Sequence, residues 1–107
     1  MKLLSISYIP GCEIEALGTV KGTVVQTKNI GRDLMAGMKT LVGGEIVGYT
    51  EMLNEARQIA VKRMVDEAKA LEADAVIDVK YGSSQVMQGA AEIIAYGTAV
   101  RIIKEER

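Results

Sequence analysis

Seven charged or polar side chains around one glycine-rich stretch are the residues of this sequence best suited to bind a ligand. They are Arg32, Asp33, Glu45, Tyr49, Glu51, Glu55 and Arg57. They lie near the starts of two predicted helices, where free backbone amides and arginine favour an anion. The four carboxylates of the set would equally suit a hard cation. Helix caps and salt bridges between subunits are the structural alternative. The sequence specifies neither a metal nor a cofactor.

The residues that most often catalyse reactions are scarce in this chain. It has 107 residues with no His and one Cys, so Cys–His and Ser–His arrangements are excluded. The usual zinc and iron–sulfur ligand sets are excluded for the same reason. Cys12 is expected to be a partly buried small apolar residue. Helical spacing favours core packing over copper(I) binding for four methionines: Met35, Met38, Met52 and Met64. We therefore expect a protein that is not an enzyme.

Composition places the chain among ordinary globular domains. Thirteen Lys and Arg against 14 Asp and Glu give a net charge of −1, and 49% of the residues are hydrophobic. This balance predicts one domain over residues 1–107. No basic run is present, so we expect no nucleic-acid partner. No apolar stretch approaches the ~20 residues of a membrane helix, and the N-terminal segment is too short to be a secretion signal. We predict a cytoplasmic protein that does not enter a membrane.

Hydrophobic periodicity and turn residues predict an α+β chain in the order β-α-α-β-β, with a three-stranded antiparallel sheet and a short N-terminal strand. The longer helix begins at Thr50, a plausible N-cap, and ends near Ala73. Two pairs at i,i+4 spacing are expected on its wet side, Lys62 with Asp66 and Arg63 with Glu67. The predicted elements are an extended segment 3–8, a strand 13–26, helices 29–42 and 50–73, a strand 75–81, a turn 82–85 and a strand 90–104.

The long helix is predicted to bury one apolar stripe: Leu53, Ala56, Ile59, Ala60, Met64, Ala68 and Leu71. Period two predicts that the strand 13–26 has one apolar face: Ile14, Ala16, Gly18, Val20, Gly22 and Val24. In this face, Gly18 and Gly22 indicate a bend or a close approach of two backbones. The same alternation predicts that the strand 75–81 buries a single side: Ala75, Ile77, Val79 and Tyr81.

The last strand is apolar on both faces, which is unusual for an exposed sheet. Ile93 and Ala95 lie on one face, and Ile94, Tyr96 and Val100 lie on the other. Two helices can cover one side of a small sheet, but nothing in so short a chain is left to cover the second. We therefore predict a homo-oligomer, most simply a closed ring.

Glu92 shares a face of the last strand with Tyr96 and would need a partner there. We expect Arg57 or Lys80 to be that partner, because an unpaired carboxylate in apolar surroundings is costly.

Several blocks in order resemble the YbjQ-like family, a group of small bacterial and archaeal proteins that carries a heavy-metal-binding label. The blocks are Gly18-Thr19-Val20-Lys21-Gly22, Ile30-Gly31-Arg32-Asp33, Gly43-Gly44-Glu45, Tyr49-Thr50-Glu51, Glu55-Ala56-Arg57, Arg63-Met64, Ala73-Asp74-Ala75-Val76 and Ala95-Tyr96-Gly97-Thr98-Ala99-Val100. The resemblance covers nearly the whole chain.

This resemblance implies a dodecin-like subunit, in which an antiparallel sheet wraps a long helix, and a homo-oligomer with a pentamer as the favoured count. It implies no activity, and the chain lacks the Cys-x-x-Cys loop of common metal carriers. We expect a non-enzymatic ring with a small-ligand or cation pocket where the polar loop of one subunit meets the next. A metal or small-molecule carrier is the alternative, and an enzyme comes third.

Overall fold

The computed structural model describes residues 1–26, 47–87 and 90–105 and shows an α+β domain. The predicted helix over residues 29–42 lies outside these ranges. The described elements are β1 (Lys2–Leu3), β2 (Cys12–Gln26), α1 (Val47–Ala70), β3 (Ala75–Met87) and β4 (Ala90–Glu105). The predicted α+β class is therefore confirmed, as are the two long strands over residues 12–26 and 90–105.

The sheet has four strands rather than three, in the order β1-β3-β4-β2. Strands β3 and β2 both pair antiparallel with β4, whereas β1 pairs parallel with β3, so the sheet is mixed. The N-terminal strand is limited to Lys2–Leu3, which is shorter than the predicted segment 3–8. The predicted turn at 82–85 is wrong, because β3 continues to Met87. Pairing with the long apolar β4 overrides the turn preference of glycine and serine there.

Helix α1 packs on one face of the sheet, which we call the inner face. Four side chains at i,i+4 spacing are fully buried there: Ala56, Ala60, Met64 and Ala68. The helix spans Val47–Ala70, so Thr50 lies inside it and is not its N-cap. Leu71, predicted to be in the core, follows the helix and is 41% exposed. No helix in the described ranges combines the length and the apolar character needed to cross a membrane.

Gly22 lets the backbones of β2 and α1 come into contact. A Cβ at this position would lie 1.9 Å from the carbonyl oxygen of Ala60 and 2.5 Å from the amide nitrogen of Met64. Only glycine fits at such a distance. The predicted close approach is confirmed at Gly22. Gly18 has a different role, since its added Cβ would meet nothing within 4 Å but its φ is +143°.

An extra residue in β2 interrupts the alternation of its side chains, so alternate residues face one side of the sheet before it and the other side after it. Ala16 pairs with Val100 and Gly18 pairs with Ala99, so Leu17 is a β-bulge. Beyond the bulge Val20 and Val24 face α1, and Leu17 packs beside them. Before it, Ile14 packs on the opposite side of the sheet. The single apolar face predicted for this strand is therefore wrong, because a bulge shifts the alternation by one residue.

A second bulge has the same effect in β3. Ile77 pairs with Thr98 and Lys80 with Tyr96, so three steps along β3 match two along β4. Asp78 lies in this bulge with a φ of +55°. Its amide donates a hydrogen bond to the carbonyl of Ile6 at 2.9 Å. Residues 75 and 77 therefore face away from α1, whereas residue 79 faces it, and the predicted single buried side is wrong.

The N-terminal segment, residues 4–11 between β1 and β2, covers part of the outer face, which is the side of the sheet opposite α1. Ile9 is 2% exposed and packs against Ala75, Ile77 and Val100. Cys12 is half-buried beside this cluster, as predicted for a small apolar residue. The expectation that no intrachain element shelters the second face of the last strand is thus wrong at Val100. Sequence reasoning missed this because the segment has no regular periodicity.

The remaining part of the outer face is open. We call it the open patch and define it by five residues: Lys21, Val25, Lys80, Ile94 and Tyr96. Val25 is 49% exposed and Tyr96 is 43% exposed, and Ile94 is half-buried. Apolar side chains are therefore exposed on this face of β4 and β2, while the covering of that face by a second copy stays a prediction.

Two side chains of α1 form hydrogen bonds with backbone groups of β2, which is an edge strand of the sheet. Arg63 donates from Nη1 to the carbonyl oxygen of Thr23, and Glu67 Oε1 accepts from the amide of Lys21 at 3.3 Å. The predicted ion pair of Arg63 with Glu67 is therefore replaced by contacts that occupy free backbone groups of an edge strand. The predicted pair of Lys62 with Asp66 is confirmed at 3.0 Å.

A Schellman motif ends α1, with Glu72 in place of the usual glycine. The amide of Glu72 donates to Lys69 O at 2.9 Å, and that of Ala73 donates to Ala68 O at 3.1 Å. Glu72 has a φ of +60°, a conformation that is unfavourable for residues with a Cβ.

Glu72→Gly should therefore stabilise the fold by about 1 kcal/mol, because glycine adopts the left-handed conformation without a Cβ clash. Glu72→Ala is the matched control, since it removes the same carboxylate and its 3.9 Å contact with Arg101 but keeps the Cβ. Urea denaturation at one subunit concentration would measure both variants. A Glu72→Gly midpoint at or below that of Glu72→Ala would contradict the assignment.

Candidate functional site

The structure describes four of the seven residues that the sequence placed in one site. Arg32, Asp33 and Glu45 lie outside the described ranges. Tyr49 and Glu51 lie within the N-terminal part of α1. Glu55 and Arg57 follow them on the same helix, and both are exposed.

Arg57 lies at a groove between α1 and the edge of β3. Its Nη1 donates to Asn54 Oδ1 at 3.2 Å. The groove has a volume of about 310 Å³ and is lined by Leu53, Arg57, Tyr81, Gly82, Ser83 and Ile93. The guanidinium thus shares a surface with the hydroxyl-bearing Tyr81 and Ser83. Glu55 is not among the described residues that line this groove, so the groove does not bring Glu55 and Arg57 together.

A larger cavity lies on the outer face, in the open patch. It has a volume of about 550 Å³ and is lined by Thr19, Val20, Lys21, Glu67, Asp78, Lys80, Ile94, Tyr96, Gly97 and Thr98. Volumes of this size are typical of small-ligand sites. None of the described residues that line it belongs to the predicted polar set.

The pairing of β2, β4 and β3 places one row of side chains across this cavity. Tyr96 of β4 pairs with Lys21 of β2 on one side and with Lys80 of β3 on the other. Directly paired residues of an antiparallel sheet point to the same face, so the two lysines flank the tyrosine. Thr19 and Thr98 pair in the neighbouring position. Sequence alone did not reveal this row, because the bulge at Asp78 sets which β3 residue faces Tyr96.

The cavity contains two basic and two acidic side chains. Glu67 lies at the β2 edge, where it accepts the hydrogen bond from the Lys21 amide. Asp78 lies in the β3 bulge. The ion pairs found among the described residues join Lys62 to Asp66 and Arg101 to Glu72, so neither cavity lysine forms one there.

The described residues do not form a metal centre. Within 1–26, 47–87 and 90–105, no three Cys, Asp or Glu side chains cluster closely enough to hold an ion. Glu92 is half-buried on β4 and pairs in register with Val25 and Ser84. Within the same ranges it forms no salt bridge with Arg57 or Lys80, so neither expected partner is found.

Comparison with protein families identifies the group to which this sequence is related. The family model YbjQ, described as "Putative heavy-metal-binding", matches residues 1–103. This chain belongs to the YbjQ family. The resemblance inferred from the sequence blocks is thereby confirmed.

Relatives of this YbjQ-family chain span its whole length. A UPF0145 protein of Clostridium novyi is 57% identical over 103 residues, which is 96% of this chain and 100% of the relative. A UPF0145 protein of Helicobacter hepaticus is 56% identical over 103 residues, covering 96% of this chain and 99% of the relative. Their names state no reaction or ligand.

One solved structure shares the fold of this YbjQ-family chain. It is a protein of unknown function of the DUF74 family from Pediococcus pentosaceus, with a TM-score of 0.67 and 17% sequence identity. The match covers 95% of this chain and 97% of the other. At this identity the likeness establishes the fold alone. The heavy-metal description of the family finds no matching ligand set among the described residues.

Proposed function

We propose that this protein is a non-catalytic subunit of a homo-oligomeric ring that holds a small ligand between subunits. The observation that supports this proposal is the open patch, an exposed surface of a central strand with Tyr96 43% exposed. A second copy of the chain would cover the patch and would close the cavity of about 550 Å³. The resemblance to the YbjQ-like family favours five copies.

Among the described elements, strands β2, β3 and β4 are longer than the helix that packs on the sheet. Strand β4 has 16 residues and therefore spans about 53 Å, which matches the longest dimension of 55 Å. Helix α1 has 24 residues and is about 36 Å long. The radius of gyration is 17.4 Å, whereas a compact domain of this size has about 13 Å.

A charge in the open patch should prevent assembly. Ile94→Glu places a carboxylate where the second copy would lie, and removing that charge from water costs several kcal/mol, which nearby lysines only partly offset. We expect the wild type to have the mass of an oligomer at micromolar concentration in light scattering and native mass spectrometry, and Ile94→Glu to be mostly monomeric.

Leu71→Glu is the matched control for this experiment. Leu71 is 41% exposed but follows the C-terminal end of α1, outside the open patch. The Leu71→Glu variant should assemble like the wild type. A monomeric wild type, or an Ile94→Glu protein that assembles as tightly as Leu71→Glu, would refute the proposal.

A further inference from the structure

The cavity on the outer face has side chains that select one class of ligand. From them we infer that it binds a planar ring bearing a single anionic group, such as an aromatic carboxylate or a ring-bearing phosphate monoester. This inference rests on the proposed function, because a second copy would close the cavity over the ligand.

The first argument is the position of the two lysines relative to Tyr96. Adjacent strands lie about 4.8 Å apart, so the Cα atoms of Lys21 and Lys80 are separated by roughly 10 Å across Tyr96. Each lysine has a flexible four-carbon stem, which allows its ammonium group to reach over the tyrosine ring. A ring stacked on Tyr96 would therefore have an ammonium on either side for its anionic group.

The second argument is that the cavity is bordered at two opposite edges by parts of the fold other than the flat sheet. At β3, the bulge at Asp78 is held by its 2.9 Å hydrogen bond to Ile6 O of the N-terminal segment. At β2, Glu67 reaches the sheet edge from α1 and binds the Lys21 amide. A flat sheet surface would have no cavity of this volume, so these two features create the space for a ligand.

The third argument concerns the charge that the ligand can have. Lys21 and Lys80 attract an anion, whereas Glu67 and Asp78 at the margins repel additional negative charge. With two positive and two negative side chains in the lining, a polyphosphate would meet repulsion as well as attraction. Thr19 and Thr98 add hydroxyl groups that can donate to or accept from polar ring substituents. The lining therefore favours a ligand with one anionic group over a ligand with a row of several.

Calorimetric titration of the assembled protein with 2-hydroxybenzoate would test this inference. We expect saturable binding with about one ligand per subunit, and at least about tenfold weaker binding of acetate, phenol and ATP. Acetate lacks the ring, phenol lacks the negative charge at neutral pH, and ATP has several charges. Phenyl phosphate should bind comparably to 2-hydroxybenzoate if the anionic group can be a phosphate monoester, and a failure to bind would restrict the class to carboxylates.

Two variants measure the contributions of the lysine ammonium groups and of the tyrosine ring to binding. The double substitution Lys21→Gln and Lys80→Gln should weaken 2-hydroxybenzoate binding at least about tenfold. Tyr96→Leu should weaken it by a similar factor, because an aliphatic side chain keeps the apolar surface but not the stacking. The matched control is Lys62→Gln with Lys69→Gln, which removes two lysines of α1 outside the cavity and should leave binding unchanged.

Light scattering on every sample distinguishes a failure of this inference from a failure of the proposed function. An oligomeric wild type that does not bind 2-hydroxybenzoate, or that binds acetate or ATP as tightly, would overturn the inference and leave assembly intact. An oligomeric lysine double variant with wild-type affinity would also overturn it. A monomeric wild type would instead refute the proposed function, whatever its affinity for the probe.

Discussion

Gly22→Ala should reduce the free energy of unfolding by at least about 4 kcal/mol, which is a large part of the stability of an ordinary domain. The added Cβ would lie 1.9 Å from Ala60 O and 2.5 Å from Met64 N. Both contacts are to helix backbone, so no side-chain rotation relieves them. Helix α1 would have to move off the sheet and expose the core around Met64 and Val20, which are 0% and 1% exposed. Circular dichroism during urea denaturation would measure the loss.

Gly82→Ala is the control for the effect of adding a methyl group to a glycine in this sheet. Its Cβ would meet only Ile94 Cγ2, at 3.2 Å, and that side chain is at the solvent-exposed open patch. We expect a change below about 1 kcal/mol. A Gly22→Ala midpoint equal to that of Gly82→Ala would show that α1 does not lie as close to β2 as the structure has it.

Ile9→Ala should destabilise the protein by about 3 kcal/mol, the usual cost of truncating a buried isoleucine. Ile9 is 2% exposed and lies between the N-terminal segment and the outer face, against Ala75, Ile77 and Val100. Its truncation leaves a cavity over the central strands that no regular element can fill. Urea denaturation at fixed subunit concentration would measure the effect, because assembly also contributes to apparent stability.

Ile6→Ala is the matched control within the same segment. Ile6 is 40% exposed, and its contact with Asp78 is made by the backbone carbonyl, which the substitution keeps. Its cost should stay below about 1 kcal/mol. Equal losses for the two variants would indicate that the segment does not cover the outer face as described.

Local sequence patterns were sufficient for the parts of the fold that depend on neighbouring residues. The stripe of Ala56, Ala60, Met64 and Ala68 predicted the buried side of α1, because helical periodicity is a local property. The spacing of apolar residues also predicted the long strands at either end. Gly22 was predicted to mark a bend or a close approach of two backbones, and the structure shows the close approach.

The candidate site could not be predicted in the same way. The sequence placed it on a polar set that extends from Arg32 to Arg57, of which the described structure shows only part. The cavity on the outer face depends instead on Lys21, Lys80 and Tyr96, which are far apart in the chain and have no recognisable spacing. Their meeting requires a particular register of three strands.

The amino-acid sequence was enough to predict the α+β class, the family, the central helix and the apolar character of both faces of β4. Tertiary structure alone decided which residues face which side. The bulges at Leu17 and Asp78 each shift the alternation by one residue, and such a shift exchanges the faces of everything beyond it. The physical reason is that register is set by pairing between distant strands, and the shelter of Val100 by Ile9 likewise depends on a contact between distant parts of the chain.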